Sequence, residues 1–309
     1  MAVKDVTRFG IQRKIVANMT TESWQSIPHV SYQYEPDVSL FLEAYKKFKA
    51  EKEDNARITL NMVLLKAISE AVKSAPQINA HLNFEQKLVR GKLTQYDNID
   101  ISVPWTLPDG NMMTITMKDM GNKSLEDICS YCEDINRRLK RTNLAEALYS
   151  VSIRDTLEKF KHGHPLKAFQ RIYGSKTNPR HRVRTLKGNA KRAYDMIPAS
   201  EKITRDDLKQ GTITVSNVGS ISRGLSGELG LLMIIPPQIC AIGLGAIQKK
   251  PIVLTDENGN DKISVSSVLP ICICFDHRAL DFGEVKPFIA KLDEFFKNPE
   301  LILGNTVFE

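Results

Sequence analysis

Cysteines are few, apolar runs are short and repeats are missing, and each shortage excludes a class of protein. Five cysteines among 309 residues, at 129, 132, 240, 272 and 274, are an odd number and too few for a disulfide framework, so a reducing compartment is expected. The longest apolar stretch, Leu231 to Ile247, is broken by Pro236, Pro237 and Gln238 and carries Gly243 and Gly245, which excludes a membrane-spanning helix. The start, MAVKDVTRFG, has neither an apolar core nor a small-residue cleavage site, so a cytoplasmic location is expected. No internal repeat or low-complexity tract interrupts the chain. What is present is ordinary for a globular protein: 42% hydrophobic and 26% charged residues, in a length that suits one large domain or one domain with an insertion.

The formal charge of +7 is concentrated in one place. Between Arg154 and Arg192 stand twelve Lys or Arg against Asp155 and Glu158, leaving a small negative balance elsewhere. Basicity is therefore a property of a segment, and nucleic-acid binding by the whole domain is not implied. The segment reads either as a solvated helical face or as an attractor for anions. Cys129 and Cys132 have C-x-x-C spacing, but no second pair or nearby histidine completes a metal set, and their surroundings have helical periodicity; they read as half-buried helix cysteines.

Apolar spacing predicts helices over Gln12 to Gln25, over SLFLEAYKKFKAEKE with Ser39 as N-cap, over LNMVLLKAISEAVKSAPQINAHL, and over SLEDICSYCEDINRRLKRTNLAEALYS. Two further helical pieces, RDTLEKFKHGHPLKAFQRIYG and VRTLKGNAKRAYDMI, flank the loop SKTNPRH, and FGEVKPFIAKLDEFFKNPEL makes the last helix. HVSYQYEPDV, much of Lys87 to Met117 with a turn at 108–110, GTITVSNVG, ICAIGLGAI and KPIVLTDENGNDKISVSSVLPICICFD read as strands. Strands and helices intersperse without strict alternation, which predicts α/β or α+β with a mixed sheet.

The run SVLPICICFDHRALDFGEV delivers His277 from a buried strand into a turn, with Asp276 before it and Asp281 four residues on. A neutral imidazole there suits a general base for a thiol or hydroxyl. Ser216 and Asn217 end a second strand beside a glycine, an arrangement fit for an oxyanion or substrate contact and equally natural as a turn with polar caps.

Five segments in order, RFGIQRKIVANMTTESWQSIPHVSYQYEPDVS, NIDISVPWTLPDGNMMTITMKD, GTITVSNVG, PPQICAIGLGAIQKKPIV and CFDHRALDFG with FFKNPELIL, resemble the catalytic domain of dihydrolipoyl acyltransferases, the acyltransferase components of 2-oxo acid dehydrogenase complexes. The resemblance covers about Phe9 to Thr142 and Asp195 to Leu303. It implies a chloramphenicol acetyltransferase-like α/β fold, an α+β sandwich with a mixed sheet flanked by helices, assembled as a homotrimer with active sites between subunits. It implies that His277 is the general base, that Ser216 stabilises the tetrahedral oxyanion, and that Asp281 pairs with Arg13 of the first helix to hold the loop. Acyl transfer would be direct, with coenzyme A as substrate, no covalent acyl-enzyme and no bound metal.

The sequence also departs from the family pattern. Phe282 stands between Asp281 and Gly283 where the signature runs directly from aspartate to glycine, and residues 143–194 form a basic, mostly helical insertion in what is otherwise a single 1–309 catalytic domain. No lipoyl domain or peripheral subunit-binding domain is expected in the chain, and Asp261-Lys262 reads as a plain turn, so no covalent lipoyl group is expected. The leading expectation is a coenzyme A-dependent transferase acting on a thiol, amine or hydroxyl of a small-molecule acceptor, as an isolated trimer without membrane or nucleic-acid partners. The alternatives are an acyltransferase core served in trans by a lipoyl or acyl carrier protein, and a catalytically silent trimeric scaffold that binds through its basic segment.

Overall fold

All six residues of the run ICICFD are buried, and this burial on both faces makes Ile271–Asp276 an interior strand. The computed structural model describes residues 1–51, 53–107, 112–161, 169, 173, 183–221, 226–256 and 258–304. These residues form two compact units, Met1–Glu22 with Glu133–Lys209 and Ser23–Cys132 with Gln210–Glu309.

The second unit holds all the strands described: β1 (His29–Tyr34), β2 (Ala80–Glu85), β3 (Arg90–Gln95), β4 (Ile101–Thr106), β5 (Met112–Met117), β6 (Ile213–Asn217), β7 (Cys240–Leu244), β8 (Gln248–Thr255), β9 (Asp261–Val268) and β10 (Ile271–Asp276). Six of them make one sheet in the order β1-β10-β7-β6-β4-β5, while β2-β3 and β8-β9 are separate two-stranded ribbons. The large sheet is mixed: β6 runs parallel to both β4 and β7, and the other neighbours are antiparallel. The mixed α/β architecture expected from the sequence is thus the one observed.

Period-two alternation gives the two faces different work. Ile213, Val215, Ile242, Leu244, Ile271, Ile273 and Phe275 form one core with helices α2 (Ser39–Glu51) and α3 (Leu60–Val72) and with the C-terminal helix 282–297. Phe41 meets Phe296 edge to face at 5.3 Å between centroids. The opposite face carries small and polar residues, among them Thr214, Ser216, Ala241, Gly243, Cys272 and Cys274. Leu229, Leu231, Leu232 and Ile234 of an irregular segment cover part of it.

Several element boundaries differ from the sequence expectation. Ser39 does not cap α2: its hydroxyl accepts from Ser267 N–H at 2.9 Å, and Asp37 accepts from Ser39 N–H at 2.9 Å. The third helix stops at Val72, ahead of Pro76, and Ala80–Glu85 belongs to a strand instead, because proline cannot continue the helical ladder.

The helix α1 occupies Ile11–Ser26, close to expectation. The long helix predicted from Ser124 to Ser150 is two helices, α4 (Leu125–Leu139) and α5 (Leu144–Lys161). The break is an N-cap: Asn143 Oδ1 accepts from Glu146 N–H at 3.1 Å. A sixth helix, α6 (Gly188–Met196), starts later than expected, at a glycine with φ +54°. The loop Ser175–His181 and the turn at 108–110 lie outside the described residues.

Glu146, 5% exposed, ties the returning chain to α5, accepting from Leu186 N–H at 2.5 Å and pairing with Lys191 at 3.0 Å. Arg138 pairs with Asp207, which also accepts from Thr204 N–H and its hydroxyl at 2.7 Å each. In the second unit the last helix is split into α7 (Phe282–Lys297) and α8 (Glu300–Leu303) at Asn298-Pro299. Among the described residues, no helix is long and apolar enough to cross a membrane.

Candidate active site

The end of β10 is locked by an ion pair between near neighbours. The Asp276 carboxylate is buried and accepts from Arg278 Nε at 2.9 Å, Nη2 at 2.6 Å and the Arg278 backbone N–H at 3.0 Å. Ala279 and Leu280 N–H donate to the Asp276 carbonyl at 2.9 and 3.1 Å, closing a tight turn. His277 sits in that turn with its N–H bonded to Pro28 carbonyl at 3.1 Å. The side chain is half exposed, so a substrate can reach it.

Two acceptors face one nitrogen of the ring. His277 Nδ1 lies 3.1 Å from the Leu280 carbonyl and 3.2 Å from Asp281 Oδ1. A neutral imidazole so placed carries its proton on Nδ1, a tautomer assigned from these acceptors, and leaves the Nε2 lone pair to accept another. Asp281 is itself positioned by Glu284, whose carboxylate accepts from Asp281 N–H at 2.8 Å.

Ser216 lies on β6 and is 8% exposed. Asn217 has its side chain committed: Nδ2 donates to Asn61 Oδ1 at 2.8 Å, and Oδ1 accepts from Ser220 N–H at 3.0 Å. Its amide fixes the turn after β6. In that turn Gly219 approaches β7 so closely that a Cβ would stand 2.2 Å from the Gly245 carbonyl oxygen, which explains the glycine.

Register sets how far apart the candidates are. Ser216 is opposite Gly243, and Gly243 is opposite Cys272. His277 follows Cys272 by five residues, so at about 3.3 Å per residue and about 4.8 Å per strand the Cα atoms of Ser216 and His277 are on the order of 15–20 Å apart. One chain brings His277 and Asp281 together and keeps Ser216 away from both. Arg13 lies on α1, in the other unit.

The structure adds residues that spacing alone left out. His29 is opposite Asp276 on β1; its Nδ1 bonds the Ile27 carbonyl at 2.9 Å and its Nε2 accepts from Ile234 N–H at 3.1 Å. Burial holds its imidazole below the ordinary value, outweighing the opposing Ile27 bond and Asp276 charge. Cys272 and Cys274 have sulfurs 3.4 Å apart. The bond from Cys274 brings the Cys272 thiol down to about 6, and the same interaction pushes Cys274 up. The only sequence signal for either group was polarity recurring at every second position of a buried strand.

The chain thus combines a mixed sheet whose buried last strand leads into a histidine turn with a serine near the end of another strand. The chain matches the family described as 2-oxoacid dehydrogenases acyltransferase (catalytic domain) over residues 2–150 and 189–304. It belongs to that family; residues 151–188 fall outside the match. It is 24% identical over 293 residues to the dihydrolipoyllysine-residue acetyltransferase component of pyruvate dehydrogenase complex from Rickettsia bellii, covering 94% of this chain and 52% of that protein. The chain thus spans about half the length of that relative.

Solved structures share its fold. The cubic core of the pyruvate dehydrogenase multienzyme complex superposes with TM-score 0.63 at 17% identity, covering 98% of this chain and 94% of that one. The dihydrolipoamide acetyltransferase of Azotobacter vinelandii gives TM-score 0.63 at 16% identity over the same shares.

Proposed function

We propose that this chain transfers acyl groups between coenzyme A and the thiol of a dihydrolipoyl group presented by a carrier, at sites built from two copies of the chain. The observation that carries the reading is His277: its Nδ1 is occupied by two acceptors, which leaves Nε2 to take a proton from a thiol. The name of the Rickettsia bellii relative favours a lipoyl thiol over a free small acceptor. The Azotobacter vinelandii structure was studied for the roles of a serine, a histidine and an asparagine in catalysis, the last two four residues apart, as His277 and Asp281 are here.

In the proposed step the thiol S–H gives its proton to His277 Nε2, and its sulfur attacks the thioester carbonyl. The carbonyl oxygen becomes an oxyanion that accepts a hydrogen bond from Ser216 of a second copy. Collapse expels the other sulfur, which recovers the proton from His277. Asp281 orients the ring, and its pairing with Arg13 belongs to the same proposal. Asn217, already bonded to Asn61 and Ser220, holds the Ser216 strand end and does not touch substrate. A homotrimer supplies the second copy, and residues 143–194 are an insertion outside this chemistry.

The test is thiol release from acetyl-coenzyme A in the presence of dihydrolipoamide. His277→Ala should lower turnover by roughly 10²- to 10⁴-fold with the fold intact. A folded variant with wild-type turnover would remove His277 from the mechanism.

A further inference from the structure

Cys272 and Cys274 are nucleophiles for which the proposed acyl transfer has no use. Two residues apart on β10, they point to the same face of the sheet, and their sulfurs are 3.4 Å apart. The surroundings are polar for a sheet interior. Gln33 Nε2 donates to Cys272 Sγ at 3.4 Å, Ser31 Oγ stands 3.4 Å from the same sulfur, and Leu232 N–H donates to Cys274 Sγ at 3.1 Å. Because the bond from Cys274 brings the Cys272 thiol down to about 6, Cys272 holds the thiolate, the reactive form of cysteine.

The pair is buried, but under a thin polar cover. Cys272 and Cys274 are 1% and 0% exposed, whereas Ser31 and Gln33, which touch Cys272, are exposed on β1. The rest of the cover is the irregular segment at Gly230, whose carbonyl accepts from Ser31 Oγ at 2.7 Å and from Gln33 Nε2 at 3.1 Å. Exposed hydrogen bonds of this kind open locally at lower cost than a packed core does. Cys240 is the contrast: burial in the apolar core pushes its thiol up to about 12.

We infer that Cys272 and Cys274 form a redox site that reacts with small hydroperoxides and closes to a reversible intrachain disulfide. With hydrogen peroxide, the Cys272 thiolate attacks one oxygen; the O–O bond breaks, an S–O bond forms, and the departing hydroxide takes a proton from solvent to become water. The Cys274 sulfur then attacks the sulfenic sulfur. An S–S bond forms, the S–O bond breaks, and the hydroxyl leaves with the Cys274 proton as a second water. The two cysteines have lost two electrons and the peroxide has gained them. Next-but-one Cα atoms of a strand are about 6.6 Å apart, inside the roughly 4.4–6.8 Å that a disulfide spans, so side-chain rotation with little movement of β10 closes the bridge. A dithiol reductant reopens it by exchange.

The test treats the reduced full chain with hydrogen peroxide, blocks remaining thiols with N-ethylmaleimide in denaturant, and maps the cysteines by peptide mass spectrometry. The peptide holding Cys272 and Cys274 should lose two hydrogens and escape the label, roughly 10-fold or more faster than Cys240 is oxidised, and dithiothreitol should restore both thiols. Cys274→Ser should stop at a sulfenic acid on Cys272 that dimedone traps, and Cys272→Ser should lose the reaction. Full labelling of Cys272 and Cys274 after peroxide overturns the proposal. So does oxidation spread evenly over all five cysteines, which would report unfolding in place of a built site. If a variant misfolds, the wild-type map alone decides.

Discussion

Ser216 and His277 stand toward opposite ends of one sheet, Ser216 near the end of β6 and His277 in the turn past the far end of β10. Ser216 stands in the row with Gly243 and Cys272, whereas the His277 ring lies 6.2 Å from Phe275, whose side chain faces the helices. A base and an oxyanion donor must both come within hydrogen-bond reach of one reacting group.

Mixing two dead variants should therefore restore activity. His277→Ala and Ser216→Ala should each lose roughly 10²-fold or more alone. Co-refolded, they should recover transfer well above either parent, because some sites combine the intact histidine of one copy with the intact serine of another. A mixture as inactive as its parents would sink the two-copy site.

Breaking the Asp276–Arg278 pair should cost more than deleting it. Arg278→Met leaves a buried carboxylate without its partner and should lower unfolding free energy by roughly 3 kcal/mol, read as a shifted urea midpoint. The double variant Asp276→Asn with Arg278→Met should be less damaged than the single one, since no charge is stranded. Equal losses would mean that the pair is not what holds the turn.

Stability should fall on acidification partly through His29. Its folded-state value lies below the ordinary 6.5, so between the two values the unfolded chain binds the proton that the folded chain refuses. The contribution is fully present above about pH 6.5 and is lost as pH falls toward the folded value. His29→Gln should flatten the stability profile between pH 5 and 7. An unchanged slope would assign it to other groups.

Removing the Glu146 carboxylate should open the chain locally. Glu146→Ala frees Leu186 N–H and one partner of Lys191, whose remaining pairing is with Asp195. Trypsin should then cut faster at Arg184, Lys187 and Lys191, with little change in the melting of the strand-bearing unit. Unaltered cleavage would show that the clamp does not limit access.

The basic segment gives a salt-dependent expectation. If it draws in the acyl donor, Arg180, Arg182 and Arg184 changed to Ser should raise KM at low salt with kcat unchanged. The difference should close as the Debye length shrinks from about 30 Å at 0.01 M to about 8 Å at 0.15 M. Matching KM values at every salt concentration would exclude recruitment. Arg180 and Arg182 lie outside the described residues.

Much of this architecture was legible in the sequence where one physical signal dominated. The run ICICFD could only be an interior strand, and the alternation of GTITVSN placed Ser216 and Asn217 at a strand end. Boundaries failed where local polar chemistry overrode apolar periodicity. The Asn143 cap divides a helix that hydrophobic spacing alone would continue, and Pro76 releases residues 80–85 to a strand. The separation of Ser216 from His277 was hidden, because it depends on which strands are neighbours and in what register. Asp276 and Arg278 were visible as letters, but their bidentate pairing needs the turn geometry that only the fold supplies.

The pairing of β1 with β10 has a consequence for biosynthesis. His29–Tyr34 leaves the ribosome well before its partner Ile271–Asp276. Among the described residues β1 has no other neighbour in the sheet. The chain must keep an unpaired edge until that partner is made, a long-range closure that slows folding and exposes nascent chains to wrong pairings. Truncation ahead of residue 271 should therefore leave β1 without its place in the sheet, in addition to removing the histidine turn.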